Sequence, residues 1–313
     1  MIVVAENLTA SEPYIDQESW TEAKEIILAL KKRGYQIIIE PFPYVSGGTE
    51  IETGWNPNNM ATWFESWGDV LAEVATFAET HNIYGMYIAS NLEYMEPFID
   101  EWTTLITRLR ILYSNNIIYR TNWWYVSDWD ISTGERYQAK LNNPIFGQVD
   151  IISIAAYFEI TNSVNPSKEE IKEGIYKTTH HNREQNVFEE VKNFYTKWGK
   201  PIMFGELGIP PFDQAASKPW NYGQGEEGYS ETIQSNWFNA FYEVFSPEDW
   251  FIGYSVFTIA DTSTVYRVID RLAEFEIKKH NFFDTKQVSR KDLQELQTEV
   301  LNLTQKILQL ENK

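Results

Sequence analysis

The chain of 313 residues contains no cysteine. That excludes disulfides, a thiolate nucleophile and cysteine-ligated metal, and it leaves the compartment open. Histidine is scarce, with four in all, two of them adjacent at His180-His181. Adjacent side chains diverge and no carboxylate lies at ligand spacing, so the pair reads as a solvated loop and no metal is expected. Basic residues are few: 26 against 45 acidic, a net charge of −19. A field of that sign repels phosphate backbones and anionic lipid, so neither nucleic acid nor a membrane is expected as a partner. No apolar run has the length of a bilayer span, and Met1-Ile2-Val3-Val4 is far too short for a signal-peptide core. Gly47-Gly48, and Gly223 with Gly225, lack the Lys-Ser/Thr and helix start of a phosphate loop. No cofactor is implied.

Aromatic residues, by contrast, are abundant: 12 Trp, 18 Tyr and 18 Phe, 15% of the chain. Flat apolar faces stack on sugar rings, but a barrel rich in interfacial aromatics has the same composition. Hydrophobic residues at 43% are enough for a full core. Apolar runs of strand length recur at Ile2 to Ala5, Tyr35 to Pro41, Tyr84 to Ala89, Ile117 to Thr121, Val149 to Tyr157, Pro201 to Gly205 and Phe251 to Phe257. Helical periodicity fills the intervals at Ser19 to Lys32, Ala61 to His81, Phe98 to Tyr113, Val187 to Trp198 and Thr232 to Phe245. Such alternation predicts an α/β fold, a (β/α)8 TIM-type barrel over residues 1–285. Seven strands are visible where a closed barrel has eight. The missing strand is expected before Ile2, so either the chain is a fragment of a longer polypeptide or its N-terminus is arranged unusually.

The last segment, 291–313, has a different pattern. Leu293, Leu296, Val300, Leu303, Ile307 and Leu310 step by three and four residues, an a/d heptad seam. It predicts a coiled-coil helix and a homo-oligomer, with dimer and trimer both compatible with the a/d residues.

The predicted strand ends gather polar and aromatic residues at one face. Most informative is Lys200 to Ile209, where Pro201 opens a buried strand, Gly205 closes it, and Glu206 stands at its mouth. A lone acid there is costly unless it is held by partners and used. The C-terminal ends of barrel strands are where such folds place their chemistry. Other ends carry Asn91 and Glu93, Asn122 and Trp123, Tyr157, and Phe257; Trp220 lies in the loop after the Glu206 strand, as a sugar platform or a plug. Two carboxylates across a cleft are the minimum for glycoside hydrolysis.

These strand ends, with Trp63-Phe64-Glu65-Ser66-Trp67, the Trp102…Ile106…Arg110…Tyr113 helix and Asp150-Ile151-Ile152-Ser153, resemble glycoside hydrolase family 113, a β-mannanase-type family of clan A TIM barrels. The resemblance spans roughly Ser19 to Ile259 and looks closest to a branch found among bacteriophage structural proteins. It implies Glu206 as the catalytic nucleophile and Tyr157 as the tyrosine that hydrogen-bonds it. Asn91, Asn122, Trp123, Tyr157, Trp220 and Phe257 are the expected sugar-binding residues, and polysaccharide or a cell-surface glycan the expected partner. It further implies a virion tail or baseplate, or another extracellular setting, where three-fold association suits an appendage. The family's fourth-strand pattern ends in a small-polar-Glu triplet whose Glu is the acid/base. Here Ser90-Asn91 is followed by Leu92, and Glu93 comes one residue late. One residue turns a strand side chain to the opposite face. A bulge would turn it back, and Glu96 is a more remote substitute. The two expectations are a sugar-binding barrel degenerate at its acid/base position and an active retaining glycosidase; a purely architectural barrel is the third.

Overall fold

In a computed structural model, residues 1–222, 228–259 and 264–283 are described. The heptad segment 291–313 lies outside them.

Strands β1 (Ile2–Ala5) and β2 (Tyr14–Ile15) precede helix α1 (Gln17–Lys32), which Asp16 caps by accepting from the Ser19 amide at 2.7 Å. The apolar run at 35–41 is not one strand. Only β3 (Ile38–Ile39) is regular; Pro41 interrupts it, and β4 (Phe42–Val45) follows. The two halves serve different neighbours. β4 lies parallel to β1, whereas β3 lies parallel to β5 (Gly85–Ser90). From β5 the sheet continues through β6 (Asn116–Asn122), β7 (Ile151–Ala155), β8 (Ile202–Leu207) and β9 (Phe251–Val256), every pair parallel. The helices between them include α2 (Met60–Thr80), α3 (Ile99–Leu112), α4 (Ile131–Leu141), α5 (Ile145–Gln148), α6 (Lys168–Tyr176), α7 (Val187–Trp198), α8 (Glu231–Phe245) and α9 (Leu272–Phe283). The architecture is a curled, TIM-type (β/α)8 fold. Among the described residues no ladder joins β9 back to β1.

β5, β7 and β8 are buried along their whole length, as strands covered on both faces must be. Helices α2 and α3 cover the sheet with tryptophan. Trp55, Trp63, Trp67 and Trp102 are fully enclosed, joined edge-to-face or stacked at centroid separations of 5.5 to 6.2 Å. The chain of rings runs on through Tyr119, Phe146, Phe194 and Trp124. Much of the aromatic excess is therefore core, and a smaller group stands at the mouth.

Two bulges set the mouth. On β5 the register with β6 slips between Tyr87 and Ala89. Tyr87 faces the barrel interior, its hydroxyl 3.1 Å from Ser153 Oγ, while Ile88 and Ala89 both join the outer core. Ser90 then turns inward to reach Arg120. On β8 the register with β7 slips so that Ala155 stands opposite Glu206, leaving Gly205 as the extra residue. Gly205 and Glu206 thus both face inward. No side chain fits at 205: a Cβ would lie 2.2 Å from Ser153 Oγ and 2.8 Å from Arg120 Cδ.

Candidate functional site

Arg120 follows the apolar run Ile117-Ile118-Tyr119 within β6 and is 1% exposed. A guanidinium so placed requires compensating acceptors. It receives them from three neighbouring strands: Glu40 just after β3, Ser90 Oγ on β5, and both the Gly205 carbonyl at 3.3 Å and Glu206 Oε1 at 2.7 Å on β8. Burial disfavours its charge, but Glu206 and Glu40 outweigh that and hold its pKa above the ordinary arginine value.

Glu206 lies within β8 rather than beyond its end, and its side chain is 12% exposed. Tyr157 donates to its Oε2 at 2.9 Å, and Asn91 Nδ2 to its Oε1 at 3.4 Å. Burial raises the carboxyl pKa above the usual range; Arg120 pulls it down, and Glu40 and Glu52 push it up again. Burial likewise raises the Tyr157 phenol, with Glu206 adding to the effect, so Tyr157 remains a donor at neutral pH. Tyr157 stands two residues past β7, not on the strand itself.

Asn91 occupies the left-handed region, φ 54°, a conformation asparagine tolerates. The turn aims its amide across the mouth, where the same Nδ2 also donates to Glu52 Oε1 at 2.9 Å. Among the described residues Asn91 Oδ1 has no protein partner. Glu52 belongs to a short helical turn, Glu52–Gly54, in the loop after β4. That turn is mounted on Trp55, whose indole donates to the Ala10 carbonyl at 2.8 Å and packs against Trp63 and Trp67.

The position after Asn91 does not face the mouth. Leu92 is 1% exposed and joins the hydrophobic core. Glu93 is exposed, and its carboxylate accepts from Asn122 Nδ2 at 2.8 Å. Both residues line a separate cavity of about 810 Å³ with Trp123, Trp124 and Lys140. The bulge on β5 therefore lies upstream of Glu93 and turns Ser90 and Asn91 inward instead. Glu96 is taken up by Lys140 at 2.9 Å and Thr121 at 2.7 Å.

The aromatic wall is shared between cavity and mouth. Trp123 packs against the cluster of Ala155, Tyr157 and Tyr266, and Phe257 joins the same cluster. Trp220 stacks on Trp123 with centroids 6.5 Å apart, and its indole donates to Glu159 at 3.1 Å. The structure thus brings Glu206, Tyr157 and Asn91 together, sets Trp123 and Phe257 beside them, and places Glu93 with Asn122 on another wall. Arg120, Glu40 and Glu52 are polar members that the sequence reading did not single out. The signal for Arg120 was available, since an arginine inside Ile117-Ile118-Tyr119-Arg120-Thr121 has to be neutralised. Among the described residues no group of three His, Cys, Asp or Glu is placed to hold a metal, and no helix is long and apolar enough to cross a membrane.

Solved structures with this architecture include a family 113 β-1,4-mannanase, with a TM-score of 0.67 at 18% identity over 90% of this chain and 85% of that one. Another is the β-mannanase AaManA from Alicyclobacillus acidocaldarius, in complex with ManMIm, with the same TM-score and coverage at 16% identity. No curated protein is similar enough in sequence to match. The model of Glycoside Hydrolase Family 113 matches residues 6–269. By that match over most of its length, the chain belongs to glycoside hydrolase family 113.

Proposed function

We propose that the mouth around Glu206 binds a β-linked, mannan-like glycan, and that the family's acid/base position is degenerate in this chain. The observation carrying this is the polar cradle of Glu206, Tyr157 and Asn91 beside the rings of Trp123 and Phe257. Carboxylate and amide groups recognise sugar hydroxyls, while the rings take the apolar faces of the pyranose. Asn91 Oδ1 supplies a further acceptor for a hydroxyl. At the position where the family carries its acid, Leu92 is committed to the core.

The heptad seam from Leu293 to Leu310 fits a role for the chain as a subunit of a trimeric, glycan-binding appendage such as a phage tail or baseplate. Three linked sites would raise the avidity for a cell-surface polysaccharide without any new contact. A retaining hydrolase is the second reading, favoured by the hydrogen bonds from Tyr157 and Asn91 that hold Glu206 ready as a nucleophile.

Calorimetry with β-1,4-mannohexaose tests the binding. Wild type and Glu206→Gln should bind it, and Trp123→Ala should bind at least tenfold more weakly. No binding of mannohexaose or other β-linked hexaoses by wild type would reject the reading and favour an architectural barrel.

A further inference from the structure

Glu52 and Glu206 accept from the same side-chain nitrogen, Asn91 Nδ2, at 2.9 and 3.4 Å. The two acceptor oxygens are therefore at most about 6.3 Å apart, so the two carboxylates meet at one amide. Glu206 is deeply buried and held from both oxygens; Glu52 is half-buried at the rim. The pair therefore consists of an enclosed carboxylate held through both oxygens and a second with access to solvent, from which a proton can be exchanged.

We propose that Glu52, delivered by the loop after β4, is the general acid/base partner of Glu206 in the retaining hydrolysis of the second reading above. The inference rests on the glycan-binding reading above. In the first step a Glu206 oxygen forms a bond to the anomeric carbon as the bond from that carbon to the leaving oxygen breaks. The Glu52 carboxyl gives its proton to that oxygen, which departs as a hydroxyl. In the second step Glu52, now a carboxylate, takes a proton from water as the water oxygen bonds to the anomeric carbon. The ester to Glu206 breaks and the carboxylate is regenerated. One water is consumed and both groups return to their starting states.

Local structure supports this assignment. Trp55, three residues on, is fully buried and hydrogen-bonded, so the turn carrying Glu52 has a rigid mount. The backbone beyond it is tied to the N-terminal loop, from the Asn56 amide to the Leu8 carbonyl at 2.7 Å and from Asn58 to Thr9 at 3.0 Å. Asn91 fixes the spacing between the two carboxylates and orients both.

The test uses the full chain, mannohexaose and 2,4-dinitrophenyl β-mannobioside, whose leaving group needs no proton. Wild type should cleave both. Glu52→Gln should lose roughly 10²–10⁴-fold on mannohexaose, the usual contribution of a general acid. It should still release dinitrophenol in a burst and recover turnover in azide with formation of the β-glycosyl azide. Glu206→Gln should be inert toward both, and Glu50→Gln in the same loop should resemble wild type. Equal cleavage of mannohexaose by Glu52→Gln and wild type overturns the assignment. So does a wild type that binds mannohexaose by calorimetry and cleaves neither substrate, an outcome that leaves the binding reading standing. Failure to bind at all defeats the binding reading itself.

Discussion

Replacing Arg120 with methionine removes the guanidinium that faces both Glu40 and Glu206 while keeping most of the side-chain volume. Its partners are 28% and 12% exposed at the side chain, so neither carboxylate regains full hydration when the cation is gone. Breaking a buried pair by deleting one partner costs about 3–5 kcal/mol. At about 2 °C per kcal/mol for a chain of this size, the melting temperature should fall by about 6–10 °C. The loss should depend on pH. In the wild type burial already raises the Glu206 carboxyl above its ordinary pKa against the pull of Arg120, and without Arg120 it rises further. A raised carboxyl binds its proton more tightly in the folded state than in the unfolded chain. Its penalty is therefore absent below the unfolded value of ~4.3, grows as pH rises, and is complete above the folded pKa. The gap between variant and wild type should be largest at neutral pH and shrink toward pH 4. Urea unfolding followed by tryptophan fluorescence at several pH values measures it. Adding Glu206→Gln to the variant should recover about 1 kcal/mol or more, because the two positions are in contact. A neutral-pH loss under about 1 kcal/mol, or a gap unchanged between pH 7 and 4, would refute the account of Arg120 as the compensating charge.

Gly205→Ala should destabilise by about 1–3 kcal/mol in denaturant titrations, because its methyl collides with Ser153 and Arg120 across the bulge. Leu92→Glu, which puts a carboxyl at the acid/base position proposed as degenerate, should lower stability by about 3 kcal/mol or more and leave mannohexaose hydrolysis no faster, since the position is core. Trp55→Ala should cost about 3–5 kcal/mol, read by thermal unfolding, and, with Glu52 in its proposed role, slow hydrolysis through the loosened Glu52 turn. Burial lowers His180 to about 4 despite the neighbouring Glu159. A depressed histidine contributes stability above its unfolded value near 6.5 that is lost as pH falls toward 4. An NMR titration of His180 should give the low midpoint, and His180→Asn should flatten that part of the stability profile.

The barrel was readable in the sequence because its strands are short apolar runs and α2 presents Trp63 and Trp67 at helical spacing. The bounds of α7 match the sequence expectation, and those of α2, α3 and α8 lie within a residue of it. Elements with little buried apolar surface left a weaker pattern. Helix α6 buries only Ile171, Gly174 and Ile175, and α4 only Thr133, Tyr137 and Leu141. The predicted strand at 35–41 shrank to two residues because Tyr35 points to solvent and Pro41 interrupts the ladder. At the site, Glu206 was legible as a charge at the end of an apolar strand, and Tyr157 through the family resemblance. The bulges were not, since a slip of one residue leaves no trace in composition. They decide which of Ser90, Asn91, Leu92 and Glu93 look into the barrel. Glu52 carried no signal either: it meets Asn91 across 39 residues of sequence, and the contact exists only once the loop is folded over the mouth.

The network centred on Arg120 is also a statement about what kind of guest the pocket favours. Among the described residues one guanidinium faces Glu40 and Glu206, with Glu52 close behind, so carboxyl groups outnumber the cation there. Partly buried charges are screened by water and salt less than surface ones, so that surplus persists. A guest bringing partial positive charge near the Glu206 oxygens would add to the balance beyond what the hydroxyls of a neutral sugar supply. A pyranose ring flattening toward an oxocarbenium ion carries such charge, and so does a ring nitrogen in an imino-sugar or imidazole-type mimic. The same arithmetic disfavours uronic acids and sulfated sugars, whose anionic groups would meet the unneutralised carboxylates first.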